Sequence, residues 1–168
     1  SASKAEEMPK VRMGFLKIET DYQGVEVLVD GEKIEQSLDE TFSLIEGKHM
    51  ISLYIEETNY THSVVVEVTD GISRTITVPL KGSVEVKTYA EKAGQKLAVL
   101  DVYIDDKYVG QSPFKLNGLV AGTHMLKVIA ENIIKERKIE VRPDSPLLVK
   151  YKIVRKTTVI PSKDDDDG

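Results

Sequence analysis

Two histidines sit in matched settings, Gly47-Lys48-His49-Met50 and Gly122-Thr123-His124-Met125, at a constant offset of 75 positions. Neutral imidazole is a common metal ligand, so a pair brought together across a domain interface could bind zinc. No third ligand stands close to either one in sequence. His49 shares strand parity with Ile51, Leu53 and Ile55, and His124 shares it with Leu126 and Val128. This parity places each ring at a strand entrance on the buried face, where a turn carbonyl would take its hydrogen bond. A structural role is expected, with no metal and no cofactor. His62, in Tyr60-Thr61-His62, is expected to be solvated.

Other reactive groups have plain explanations as well. Asp105-Asp106 could act as a pair of carboxylates in acid–base chemistry, yet it occupies the hairpin position that Asp30-Gly31 holds earlier. There is no G-x-S-x-G elbow and no glycine-rich phosphate loop. Cysteine is absent, which excludes disulfides, thiolate nucleophiles and Cys-type metal sites. No constellation of nucleophile, base and electrostatic stabiliser can be named, so the chain is read as non-enzymatic. Asn59-Tyr60-Thr61 fits a glycosylation sequon, which matters only in a glycosylating pathway.

These residues are carried on strands. Apolar side chains recur with period two at Val25, Val27 and Val29, at Ile51, Leu53 and Ile55, and at Val64, Val66 and Val68. Asp30-Gly31 and Asp70-Gly71 supply hairpin signals between such runs. With 168 residues, 40% hydrophobic and 30% charged, the composition is that of a folding globular chain. No apolar run approaches the ~20 residues of a membrane-spanning helix. The net charge of −5 disfavours general nucleic-acid binding.

The second half repeats the first. Gly14-Phe15-Leu16-Lys17-Ile18 answers to Gly82-Ser83-Val84-Glu85-Val86, and Val27-Leu28-Val29-Asp30 to Val102-Tyr103-Ile104-Asp105. The change of offset between these matches places an insertion of seven residues around Tyr89 to Lys96, and two residues are lost again later in the repeat. The expected organisation is a disordered tail over 1–10, sandwich units over 11–80 and 81–154 joined by Lys81 and Gly82, and a disordered tail over 155–168 ending in Asp164 to Asp167. The expected fold class is all-β, with two tandem small antiparallel β-sandwich domains.

Each unit resembles a PEGA domain, a small β-sandwich module of prokaryotic envelope and surface proteins. Gln23-Gly24-Val25-Glu26-Val27-Leu28-Val29-Asp30-Gly31 followed by Gly47-Lys48-His49 carries the resemblance in the first unit. Val102 to Pro113 followed by Gly122-Thr123-His124 carries it in the second. Tyr22 replaces the naming proline, and Leu38 stands where Pro113 does. The resemblance implies an extracytoplasmic binding or spacer module in the periplasm or at the cell surface. A carbohydrate-binding or sensory accessory region of a larger enzyme or kinase is the alternative.

Partner contacts are expected on the inserted loop, at Tyr89, Glu91, Lys92, Gln95 and Lys96, because loops on a rigid scaffold are where binding function accumulates. Lys150 and Lys152 flank Tyr151 on one outward strand face and form a second candidate contact. Residues 1–80 carry 7 basic and 15 acidic side chains, whereas 81–168 carry 16 and 13. The basic half points to an envelope protein or an anionic or carbohydrate polymer as partner, and the asymmetry allows weak head-to-tail self-association.

Overall fold

A computed structural model describes residues 10–152. Over this span the chain is built from fourteen strands, and no helix occurs among the described residues. The first seven are β1 (Met13–Thr20), β2 (Glu26–Val29), β3 (Glu32–Ile34), β4 (Phe42–Ile45), β5 (Gly47–Ile55), β6 (Tyr60–Val68) and β7 (Ser73–Val78). They form a three-stranded sheet ordered β4-β1-β7 and a four-stranded sheet ordered β3-β2-β5-β6. The other seven are β8 (Lys81–Thr88), β9 (Asp101–Ile104), β10 (Lys107–Gln111), β11 (Phe114–Val120), β12 (Gly122–Ala130), β13 (Ile133–Val141) and β14 (Leu147–Tyr151). Their sheets, β11-β8-β14 and β10-β9-β12-β13, repeat the same order. The chain is two tandem β-sandwiches of one topology.

The period-two pattern explains each layer. Alternate residues of β1, β4 and β7, among them Leu16, Ile18, Phe42, Leu44 and Val78, face Val27, Ile51, Leu53, Ile55 and Val66 of the opposing sheet. The second core repeats this with Val84, Val86 and Val149 against Val102, Leu126, Val128 and Ile139. Burying such a side chain is worth roughly 1.5–3 kcal/mol, and a register slip of one residue would turn the whole set outward.

The pairing is mixed where the repeat pattern alone implied antiparallel sheets. In each unit the first and last strands run parallel, β1 with β7 and β8 with β14. A strand that returns after crossing between the two layers arrives at the edge in the same direction as the first, and side-chain alternation is identical for either polarity.

The differences between copies lie in loops. The segment between β8 and β9 runs over 89–100, whereas its counterpart between β1 and β2 runs over 21–25, which accounts for the insertion. The two lost residues come from the hairpin after β12, which spans 131–132 against 56–59 after β5. An Asn117-Gly118 bulge interrupts β11 between Leu116 and Leu119. Lys81 and Gly82 belong to β8 and are not a linker, so the connection between the sandwiches is Pro79-Leu80. The tails expected over 1–10 and 155–168 lie outside the described residues, apart from Lys10.

Gly82 must be a glycine because a Cβ there would collide with the backbone carbonyl of Arg142 and come within 2.9 Å of Val141 Cγ1. Gly14 is held the same way against the Thr69 carbonyl.

Candidate functional site

The matched histidines form matched clamps. Asp30 and Asp105 are the first residues of the two-residue hairpin turns after β2 and β9, both with φ of 51°. Asp-Gly and Asp-Asp suit this left-handed pair of turn residues because Asp tolerates φ above zero better than most side chains. His49 Nδ1 lies 2.6 Å from Asp30 Oδ2, and His49 Nε2 lies 2.5 Å from the Ile45 carbonyl. Asp30 Oδ1 accepts the Met50 N–H at 2.8 Å. In the second sandwich His124 Nδ1 lies 2.5 Å from Asp105 Oδ2 and Nε2 lies 2.5 Å from the Val120 carbonyl, while Met125 N–H donates to Asp105 Oδ1 at 2.9 Å.

Each ring therefore faces a carboxylate on one side and a carbonyl on the other. At His49 this arrangement favours the imidazolium, which donates from both nitrogens. The Asp30 hydrogen bond, followed by the Ile45 carbonyl, raises the His49 pKa above its ordinary 6.5. The His49 hydrogen bond, followed by the Met50 N–H, lowers that of Asp30 below 3.8. Both ring nitrogens of each histidine are thus engaged by protein oxygens. The clamp ties the β2–β3 turn to the corner before β5, and β9–β10 to the corner before β12. The turn carbonyl was legible from strand parity; the aspartate was not, although Asp30 and Asp105 stood in view at matched turn positions. His124 is buried as expected, but His49 is only half-buried. His62 is half-buried on edge strand β6, across from Leu53, and is not the solvated residue expected.

Asp105-Asp106 is a turn: both residues have positive φ, and Asp105 is spent on the clamp. Tyr54 is half-buried with its hydroxyl 3.5 Å from Asn59 Oδ1. Tyr103 packs edge-on to Tyr108 at 5.5 Å, with Lys127 Nζ 4.9 Å from its ring centre, so the two tyrosines do not form a flat platform.

Two of the inserted-loop candidates, Tyr89 and Glu91, lie against the end of β14. Glu91 in the inserted loop forms an ion pair with Lys152, and the Tyr89 N–H donates to the Tyr151 carbonyl at 3.0 Å. Lys92 and Gln95 bond each other within the loop, the Lys92 N–H reaching Gln95 Oε1 at 3.3 Å. Lys96 is exposed. Lys150 is exposed on β14, directly across from Lys87.

Sequence reasoning missed the residues that join the sandwiches. Thr58, in the longer hairpin loop after β5, is only 7% exposed. Its hydroxyl donates to the Ala121 carbonyl at 2.5 Å, and its own carbonyl accepts the Thr123 N–H at 2.9 Å. The Ala121 N–H donates to the Leu80 carbonyl at 2.8 Å, and Val120 packs against the first core. A Cβ on Gly122, at φ 120°, would lie 2.5 Å from Thr58 Cβ. The loop that the second copy shortened is the one that reaches across. That length difference was the only signal in the sequence.

The residues that carry the repeated pattern, Val102 to Asp105 and Gly122 to His124, thus form strand, turn and clamp of the second sandwich. Residues 100–157 match the PEGA domain family. The PEGA match covers β9 to β14 of the second sandwich. Among solved structures, the TIE protein of Bacillus anthracis is similar at 15% identity and a TM-score of 0.37, covering 84% of this chain and 34% of that one. This chain thus spans about a third of that protein's length. A minor pilin of Streptococcus agalactiae is similar at 11% identity and a TM-score of 0.35, covering 89% of this chain and 100% of that one. No curated protein matches the chain.

Proposed function

We propose that this chain is a non-catalytic binding or spacer region of a prokaryotic envelope or surface protein, with 11–80 and 81–154 as its two modules. The PEGA match over 100–157 supports the surface setting, and the shared strand order supports treating the first unit as a module of the same kind. Its conspicuous polar side chains, His49, His124, Asp30 and Asp105, hold turns, which supports a structural role for them.

The observation that carries the binding half of this reading is the convergence of the inserted loop on β14. Glu91 with Lys152, and Tyr89 with Tyr151, assemble two separately chosen segments into one surface. Lys87 and Lys150 lie side by side there, and an anionic polymer or an acidic protein surface would complement them. The test is co-sedimentation of purified protein with an insoluble envelope preparation. A variant with 89–100 cut to the length of 21–25, and a second variant Lys150→Glu with Lys152→Glu, should both fold and both bind less. Undiminished binding by both would place the contact elsewhere. The accessory-region alternative would gain from equal binding to neutral polysaccharide by wild type and the Lys150→Glu, Lys152→Glu variant.

A further inference from the structure

The internal joint shows what one end of this sandwich accepts. In the second sandwich the corner Val120-Ala121-Gly122-Thr123 is sealed by the first, through Thr58 and the apolar contact of Val120. The equivalent corner of the first sandwich is Ile45-Glu46-Gly47-Lys48. It has the same local geometry: the Glu46 N–H donates to the Arg12 carbonyl at 2.9 Å, as Ala121 donates to Leu80. Gly47 has φ 130°, and nothing among the described residues lies within 4 Å of where its Cβ would be. Ile45, in the place of Val120, is 58% exposed.

The residues around this corner are more apolar than their counterparts. Met13 lies directly across β1–β4 from Ile45, and Phe15 follows on the same face at 38% exposure. Ile72, whose carbonyl takes the Phe15 N–H at 2.9 Å, is 55% exposed. The second sandwich has Lys81, Ser83 and Ser145 at these positions. The copy whose corner is already covered is polar there, and the copy whose corner no other sandwich covers among the described residues is apolar. An open apolar cluster is a docking signature when a complementary surface exists.

A second exposed apolar patch lies at the far end of the same chain. The far end of the second sandwich has the short hairpin 131–132, so it is blunt where the first sandwich projects Thr58. It exposes Val99 and Leu97, at 59% and 41%, beside a cavity of about 270 Å³ whose other walls are Ala98, Ala130 and Glu131. A chain with an acidic first half and a basic second half also attracts copies of itself end to end.

We infer that the Ile45 corner of one molecule docks on the Val99 end of a second copy, continuing between chains the end-to-end stacking that Thr58 makes within one. The interface is heterologous, so it propagates and does not close. This rests on the module reading above but is read out without any envelope ligand, so the two can fail separately.

The test is sedimentation of the 168-residue wild type, Ile45→Lys and Val99→Lys, each alone and in an equimolar mixture. Wild type should associate with rising concentration, and less at 1 M than at 0.1 M salt, as the Debye length falls from about 10 Å to about 3 Å. Each variant alone should associate at least about tenfold more weakly. Their mixture should form a one-to-one dimer that grows no further, because it retains one intact corner and one intact end. Unchanged circular dichroism keeps misfolding out of the comparison. A wild type monomeric to about 1 mM, association unaffected by either substitution, or a mixture that stays monomeric would each overturn the inference.

Discussion

Replacing His124 with alanine removes one half of a clamp whose geometry is fully specified. The ring is 5% exposed and makes two short hydrogen bonds, to Asp105 Oδ2 and to the Val120 carbonyl. Such bonds contribute about 1.5 kcal/mol each when one partner is charged, so their loss costs about 3 kcal/mol. For a unit of this size each kcal/mol moves the melting temperature by roughly 4–8 °C, so the second sandwich should melt about 15 °C lower. His49→Ala should cost less, because the His49 side chain is 15% exposed and water can replace part of what is lost. Calorimetry of the two variants measures this, with Asp105→Asn added to close a double-mutant cycle, since Asn keeps the turn's backbone preference while removing the charge. Strong non-additivity between His124→Ala and Asp105→Asn is expected, because each removes the same contact. A shift under about 3 °C, or additive effects, would refute it. Stoichiometric zinc in wild type, lost in the histidine variants, would replace the clamp with a metal site.

The His49 clamp also sets a pH dependence. Because the folded His49 pKa is raised above 6.5, its contribution is complete below 6.5 and fades as pH rises through the folded value; that of Asp30, lowered below 3.8, fades as pH falls through its folded value. Imidazole NMR titration of His49 should give a midpoint above 6.5, and one at or below it would contradict the geometry. Gly82→Ala should cost about 2 kcal/mol by forcing β8 away from the Arg142 carbonyl, seen as a lower midpoint in urea. Tyr151→Phe should leave stability unchanged or raise it by up to about 1 kcal/mol, since the buried Tyr151 hydroxyl has no partner among the described residues. Thr58→Val leaves the Ala121 carbonyl without its donor. Because the chain has no cysteine, a spin label on one introduced cysteine in each sandwich would report a broader distance distribution in this variant; an unchanged, narrow one would remove Thr58 as the joint.

Strand content, the duplication and the two-sandwich fold were determined by the sequence itself, because period-two burial and turn chemistry act over a few residues and leave their mark in residue order. Asp30-Gly31 makes the expected hairpin between β2 and β3, whereas Asp70-Gly71, which carries the same signal, takes the chain from β6 in one sheet to β7 in the other; the mismatch in offsets located the 89–100 loop. Parity likewise placed His124 on the inner face. The rest needed distances across the fold. Parallel pairing of β1 with β7 leaves the alternation of either strand unchanged, so no residue reports it. Asp105 and His124 stand nineteen residues apart, and only the meeting of a turn with a strand corner makes them partners. Thr58 is polar and lies in a hairpin loop, which in sequence reads as solvent-facing; it is buried because the second sandwich packs onto it. Local periodicity decides which face of a strand is inward, but which inward and outward faces meet is decided by the packing of whole sheets and whole sandwiches.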